Sequence, residues 1–302
     1  MKISNYLAIV LLGLAAFSCQ DIDSSLDSTS QEIVSEEIIF KGKEYPSFPL
    51  ANSNPNARLT DLGYDVKIYS AEYITAPESN QVGRTVIFSN TGSKVLAFDF
   101  SPLAKLYDVS EISYYVDEYR PASTVDVASS AAAIDRAAQT WDGVACSDLG
   151  MYKIGAEPIP LGYVASAFGF ASLPALAADI NHYGWMPAEF FDLVDVDGSQ
   201  FILGVTFTLL WTNENGDYID TNGDGKFDVA GREIYYNDNF YWGDNDEDVA
   251  NGNAVDVESI ALHEMGHGLS QAHFGKAFVK KNGNLQFAPS NHECRLFWRF
   301  AN

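Results

Sequence analysis

From about residue 125 onward, the pattern of hydrophobic and polar positions predicts both helices and strands. Over residues 125–141 the apolar positions recur at helical spacing in an alanine-rich stretch, which predicts a helix. Residues 201–211 form a continuous apolar run with β-branched and aromatic side chains, which predicts a buried strand, and 234–236 predict a shorter one. Residues 256–273 predict a second helix, for which Asp256 is a suitable N-cap. Together these elements indicate an α+β fold.

The chain before residue 110 shows only short stretches in which apolar and polar residues alternate. We expect residues 58–109 to form a small β-rich segment, either an accessory domain or a pro-segment. Its strand candidates are 66–69, 85–89 and 95–100. Residues 19–57 are rich in Ser, Asp, Glu, Asn and Pro, and they predict a poorly ordered tether. Residues 110–302 then form the main domain.

The first 18 residues have the pattern of an export signal. Lys2 supplies a basic start, and the apolar run over 6–17 is too short for a comfortable membrane span. Cys19 follows directly and resembles the lipidated cysteine of bacterial lipoproteins; ordinary signal-peptide cleavage nearby is the alternative. Either way we expect an exported protein. If Cys19 is lipidated, we expect it to anchor the protein to the membrane of the bacterial cell envelope. The anchored protein is then either exposed at the surface or released.

Composition narrows the range of partners and folds. The chain has 302 residues, of which 47% are hydrophobic, so a wholly disordered protein is excluded. A net charge of −23 repels phosphates, which argues against nucleic acid as a partner. Three cysteines are too few for a disulfide framework, so the fold depends on its core or on metals.

One motif in the second predicted helix carries chemistry. Residues 263–267 read His-Glu-Met-Gly-His, and His273 lies ten residues after His263. Two histidines four residues apart share one face of a helix, so the rings of His263 and His267 can reach the same cation. Glu264 lies beside them, where it can reach a water on that cation. The alternative is a helix that merely carries histidines on its surface.

This spacing resembles the signature of the metzincin clan of zinc endopeptidases, H-E-x-x-H-x-x-G-x-x-H. Residues 131–141 are similar to the first helix of a matrixin catalytic domain, which also ends in tryptophan, and 235–242 are similar to the aromatic segment before the active-site helix. The likeness covers about residues 110–290 and is strong only at the motif. It implies that 110–302 form a metzincin-like zincin catalytic domain with a twisted mixed sheet and an active-site helix.

The resemblance also implies ligands and a reaction. Zn²⁺ would be held by His263, His267 and His273, which leaves a fourth position for a water whose pKa falls toward about 7. Glu264 would take the proton of that water during attack on a peptide carbonyl and pass it to the leaving amine. The partner would be a protein or peptide substrate, extended across a cleft and paired with a sheet edge.

Two departures from the family pattern have structural consequences. Ser270 stands where the clan has a glycine with positive φ, and a non-glycine residue in that conformation costs about 1–2 kcal/mol. Gly268 is an alternative place for the helix to break. No methionine follows Met265, although metzincins have a methionine turn beneath the zinc after the third histidine.

The C-terminal residues look foreign to the chain that precedes them. Codons that encode 291–298 can be chosen so that a shift of one base gives Thr-Met-Asn-Ala-Val-Tyr-Phe and then glycine, which resembles a matrixin methionine turn. Our hypothesis is that a frameshift has replaced the true C-terminus and truncated the domain. The activity of the chain as printed depends on this point.

A second metal site is predicted before the motif helix. Residues 220–228 read D-x-N-x-D-G-x-x-D, which resembles the first nine positions of an EF-hand calcium loop. Asp220, Asn222, Asp224 and Asp228 are the candidate Ca²⁺ ligands. The twelfth position is a glycine, so Asp217 or Glu233 would have to complete the set. A solvated acidic turn is the alternative.

These observations support two functions of different classes. The first is an exported zinc-dependent endopeptidase, stiffened by calcium. The alternative is a catalytically inactive envelope lipoprotein that keeps a metzincin-like metal-binding fold.

Overall fold

A computed structural model describes most of the chain between residues 57 and 271. The longer described ranges are 57–79, 83–88, 98–101, 111–145, 149–155 and 159–271, and the shorter pieces are 38–40, 45, 47–50, 81, 105, 147, 157, 277–279 and 285–287. The chain divides into Met1–Ile33 and Val34–Asn302, and all described residues belong to the second unit. Cys19, the predicted signal segment, His273 and residues 288–302 lie outside the described residues. No described helix is long and apolar enough to cross a membrane.

The described elements alternate between strands and helices. The strands are β1 (Ile38–Phe40), β2 (Asp65–Thr75), β3 (Arg84–Ile87), β4 (Phe98–Asp99), β5 (Ile112–Val116), β6 (Met151–Lys153), β7 (Ile180–Met186), β8 (Ile202–Thr212), β9 (Phe227–Asn237), β10 (Trp242–Gly243), β11 (Val255–Asp256), β12 (Ala277–Val279) and β13 (Leu285–Phe287). The helices are α1 (Ala57–Asp61), α2 (Val127–Asp142), α3 (Tyr163–Ala167), α4 (Ala188–Val194), α5 (Glu247–Ala250) and α6 (Val257–Gly268), with 3₁₀ turns at Pro77–Ser79 and Gly198–Gln200.

One mixed sheet of nine strands organises these elements. Its order is β1-β3-β2-β8-β9-β7-β5-β6, and β4 pairs with the beginning of β9. β6, β5, β7 and β9 are parallel neighbours, whereas β8 runs antiparallel to both β9 and β2. The described chain is therefore a mixed α+β structure, as the sequence predicts.

The continuous apolar run at the predicted strand 201–211 reflects its place inside the sheet. It forms β8, and all eleven residues of β8 are buried. A strand that is covered on both faces has no solvent side, so its sequence loses the usual alternation of apolar and polar residues. The predicted strand 234–236 is the apolar end of β9, whose remaining residues are also largely buried.

Helices cover the two faces of the sheet. Ala133 of α2 and Ala261 of α6 pack with Leu203, Ile234 and other apolar side chains on one face. The aromatic residues of α3 and α4 pack with β8 and β9 on the opposite face: Tyr163, Phe190 and Phe191 against Phe207 and Tyr235.

Caps and a close contact explain where α2 and α6 lie. The side chains of Asp126 and Asp256 accept hydrogen bonds from the first turns of α2 and α6, so the predicted N-cap at Asp256 is confirmed. Trp141 donates its indole N–H to the carbonyl of Leu262 at 3.0 Å. A Cβ on Gly266 would lie only 3.0 Å from the Trp141 ring, so this glycine allows α2 to contact α6 closely.

The sheet crosses the predicted boundary at residue 110. β2 and β3 lie in the segment 58–109, and they join the sheet through the antiparallel pairing of β2 with β8. Val66, Ile68 and Tyr73 of β2 pack in the same core as β8 and β9. The described strands of this segment therefore belong to the same compact unit as the main domain.

Glu233 is a buried carboxyl on the face of β9 that packs against α3. It accepts hydrogen bonds from the backbone N–H groups of Tyr163 and Val164 and from the Tyr235 hydroxyl, at 2.6, 2.8 and 2.9 Å. Burial raises the pKa of the Glu233 carboxyl to about 7, although these donors act in the opposite direction.

The stability of the protein should therefore depend on the ionisation of Glu233. The folded protein holds this proton more tightly than the unfolded chain, so the stabilisation is complete below pH 4.5 and is lost as the pH rises through about 7. The loss amounts to about 3 kcal/mol in the free energy of unfolding. Urea unfolding at a series of pH values should show this fall, and Glu233→Gln should reduce it to the part that the buried carboxyl of Glu264 contributes. The exposed residue Glu189 offers the control Glu189→Gln, and equal pH dependence in both variants would contradict the assignment.

Candidate metal centre

The rings of His263 and His267 converge on one side of α6, as their spacing predicts. Their Nε2 atoms lie 3.1 Å apart, and the ring planes are inclined at 83°. Two Zn–N bonds of about 2.0–2.1 Å at the tetrahedral angle separate the two nitrogens by about 3.3 Å. The two imidazoles therefore already have nearly the separation that a shared zinc ion requires.

The protonation of both rings suits metal binding. The Nδ1 atom of His267 lies 2.8 Å from the Gln271 carbonyl oxygen, which can only accept, so Nδ1 carries the proton and Nε2 keeps its lone pair. Burial, with a smaller contribution from His267, lowers the pKa of His263 to about 3. His263 is therefore neutral at neutral pH, which is the form that binds a metal.

Glu264 turns its carboxyl into the contact between α6 and β8. Its Oε2 atom accepts a hydrogen bond from the Thr206 hydroxyl at 2.6 Å. Its Oε1 atom is buried and has no hydrogen-bond partner of normal geometry among the described residues. Burial raises the pKa of the Glu264 carboxyl to about 8, while Thr206 lowers it. A cation bound nearby would favour the ionised form.

A second carboxyl lies beside the motif and was missed by the sequence analysis. Glu72 of β2 is opposite Thr206 of β8 in the ladder, is 6% exposed, and has Oε2 3.9 Å from Nδ1 of His267. The charge of Glu72 also contributes to the raised pKa of Glu264. The signal that could have indicated it is a glutamate between the apolar residues Ala71 and Tyr73 of a strand, since charged residues are rarely buried without a partner. β2 thus covers the side of α6 that carries Glu264.

The motif helix ends at the position where the metzincin clan has glycine. Ser270 has φ of +64°, so it takes the left-handed conformation itself, and Gly268 remains inside α6. Ser270 donates its N–H to the His267 carbonyl, and Gln271 donates to the Gly266 carbonyl, both at 2.9 Å. These two bonds form a Schellman motif, in which the residue after the cap is left-handed.

The Ser270 side chain is held by a buried arginine. Its Oγ accepts a hydrogen bond from Arg232 Nη2 at 2.9 Å. Arg232 also donates to Thr208 of β8, and its guanidinium lies 4.9 Å from the ring centroid of Phe98. Burial lowers the pKa of Arg232 to about 10, so the group remains a cation at neutral pH. This anchor helps to offset the cost of a serine in the left-handed conformation.

The described residues supply only part of the predicted zinc site. His273 lies outside them, so the structure brings together the rings of two of the three predicted histidines, and the Glu264 carboxyl lies in the contact between α6 and β8. Within the described ranges, no three His, Cys, Asp or Glu side chains are grouped as a metal site.

The predicted calcium residues form a tight turn. Asp220 accepts the backbone N–H groups of Gly223 and Gly225, at 2.7 and 2.8 Å, and Asn222 accepts the N–H of Asp224 at 3.1 Å. Asp228 is fully buried: Oδ2 accepts the N–H of Thr221, and Oδ1 has no partner among the described residues.

Other contacts limit what this turn offers to a cation. Asp224 lies 3.4 Å from the ammonium of Lys226, which also pairs with Asp99 at 2.5 Å. The two residues expected to complete the ligand set, Glu233 and Asp217, have contacts of their own. Glu233 is engaged by α3, as described above, and Asp217 lies beside Asn213 in the preceding turn, accepting from its amide at 3.5 Å.

Comparisons with known proteins add no evidence on the chemistry of this site. Neither a scan against family models nor a search of curated proteins finds a match to the chain.

The anchor on Ser270 leads to a prediction about stability. Ser270→Ala keeps the left-handed strain and loses the bond to a charged donor, so we expect the free energy of unfolding to fall by about 1–3 kcal/mol. Ser270→Gly loses the same bond but relieves about 1 kcal/mol or more of strain. Urea unfolding should therefore rank the glycine variant above the alanine variant. The reverse order would show that the conformation of residue 270 is not strained.

Proposed function

We propose that this chain is an exported zinc-dependent endopeptidase of the metzincin type, similar to the matrixins. The observation that carries the proposal is the pair of Nε2 atoms of His263 and His267, 3.1 Å apart, with Glu264 between them in the chain. A mixed sheet with the motif helix packed on one face also supports the catalytic domain that the resemblance implies.

The residues of the chain have distinct parts in this proposal. His263, His267 and His273 are the ligands, and zinc when bound supplies Lewis-acid chemistry and a lowered pKa for water. The Gln271 carbonyl keeps the proton of His267 on Nδ1 and so presents Nε2 to the cation. Glu264 is the general base, which takes a proton from the attacking water and returns it to the leaving amine.

The setting of the reaction belongs to the same proposal. The substrate is a protein or peptide, and nucleic acid is not a partner because the chain carries a net charge of −23. A lipid on Cys19 would hold the enzyme at the bacterial cell envelope.

Hydrolysis of casein or gelatin by the full chain tests the mechanism. We expect a zinc chelator to abolish the activity and added zinc to restore it. Glu264→Ala should lower the rate at least about 100-fold, because the proton transfer loses its base. The exposed Glu189→Ala variant controls for the loss of one negative charge. Full activity of Glu264→Ala would remove the proposed mechanism.

One observation favours the second candidate, a catalytically inactive envelope lipoprotein that keeps the metal-binding fold. Glu264 is fully buried and His267 is 3% exposed, because β2 and β8 cover this side of α6. A polypeptide can be hydrolysed there only if it reaches Glu264. This candidate is distinguished by a full chain that binds zinc stoichiometrically but hydrolyses neither casein nor gelatin.

We also propose calcium as a structural ion of the turn 220–228. The supporting observation is Asp228, whose buried Oδ1 atom has no partner among the described residues. Binding requires that Asp224 exchange Lys226 for the cation, and oxygen ligands of this kind suit Ca²⁺.

Calcium should then stabilise the folded protein. At 100 times its dissociation constant, the ion adds about 3 kcal/mol to the free energy of unfolding. Scanning calorimetry should show a midpoint several degrees higher in calcium than in chelator. Asp220→Ala should lose this shift, and the control Glu214→Ala, in the exposed neighbouring turn, should retain it. Equal midpoints with and without calcium would identify the turn as a solvated acidic loop.

A further inference from the structure

Thr206 lies at the centre of the contact between β8 and α6. Its hydroxyl is fully buried and lies 2.6 Å from Oε2 of Glu264 and 2.9 Å from the Glu264 backbone carbonyl oxygen. A hydroxyl has only one proton to donate. Inside a helix the carbonyl already accepts a bond from the N–H four residues later. The hydroxyl proton is therefore best used on the carboxylate, where the bond is charge-assisted.

Gly204 leaves room for the other carboxyl oxygen of Glu264, Oε1. A Cβ built on Gly204 would lie 3.0 Å from Cγ and 3.3 Å from Oε1 of Glu264. Because Gly204 has no side chain, the Glu264 carboxyl group can approach β8 closely at this position. The two oxygens of Glu264 are unequal: Oε2 accepts a hydrogen bond from the Thr206 hydroxyl, whereas Oε1 has no partner of normal hydrogen-bond geometry among the described residues. The backbone N–H of Ile74 on β2 also acts on this carboxyl and lowers its pKa.

We propose that Thr206 is a positioning residue for the hydrolysis, holding Oε2 of Glu264 so that Oε1 is the oxygen that takes and returns the proton. This role rests on the proposed function. A carboxylate that can rotate presents either oxygen in many orientations, whereas one held at a single oxygen is preorganised for proton transfer. Thr206 itself does not contact the substrate in this role.

The same strand offers a matched control for the loss of a buried hydroxyl. Thr212 is also on β8 and fully buried, and its hydroxyl donates to the Asp65 carbonyl at 3.3 Å. Thr212 is six residues from Thr206 along the strand, which places its side chain too far along β8 to contact Glu264. Thr212→Val therefore removes a hydroxyl from the same strand without touching Glu264.

The test compares Thr206→Val, Thr206→Ser and Thr212→Val in the full chain. For each variant, kcat and KM are measured on a fluorogenic peptide, together with zinc content and the midpoint of thermal unfolding. Loss of a hydrogen bond to a charged group predicts that Thr206→Val lowers kcat about 10- to 100-fold. We expect KM to change less than about twofold and zinc content to stay constant. Thr206→Ser should recover most of kcat, and Thr212→Val should keep it.

Each other outcome has a definite meaning. Normal kcat in Thr206→Val, or equal losses in Thr206→Val and Thr212→Val, would overturn the positioning role and leave the proposed function intact. A parent chain that binds zinc but hydrolyses nothing would overturn the proposed function itself, and the positioning role with it. If Thr206→Val does not fold, Thr206→Ala replaces it, and the comparison with Thr206→Ser decides the outcome in the same way.

Discussion

The close contact between α6 and β8 is the constraint on which the candidate site depends. Gly204 allows α6 to approach, because a side chain there would meet Ile260 and Glu264 within 3.0 Å. The approach carries the carboxyl of Glu264 into the interior, where desolvation raises its pKa to about 8. Thr206 supplies the donor that a buried carboxylate needs. The same packing that builds the core thus sets the environment of Glu264, the proposed base.

One strand, β2, both protects the edge of β8 and covers the candidate site. Without β2, the apolar strand β8 would be an edge strand with unpaired backbone groups, which promotes aggregation. β2 pairs along β8 and contributes Val66, Ile68 and Tyr73 to the core. It also brings Glu72 to the motif and covers Glu264. The strand that protects β8 would therefore also be the element that a substrate has to pass under the proposed function.

Two costly features meet at the C-terminal end of α6 and support each other. A buried arginine loses hydration, and a serine in the left-handed conformation is strained. The hydrogen bond between Arg232 and Ser270 gives the buried guanidinium a partner and holds the serine in its left-handed conformation. The end of the motif helix is consequently tied to β9, and the direction in which the chain leaves α6 is tied to the sheet.

The sequence by itself determined what depends on neighbours in the chain. Helical spacing located α2 and α6, the apolar run located β8, Asp256 marked a cap, and the spacing of the motif placed two imidazoles on one face. These features arise within a few residues, so local periodicity is sufficient to predict them. Only the tertiary structure decided that Glu72 lies beside the motif, that Gly204 makes room for Glu264, and that the sheet continues through 58–109. Those relations join residues more than fifty positions apart, and the pairing of distant strands depends on the packing of the whole core.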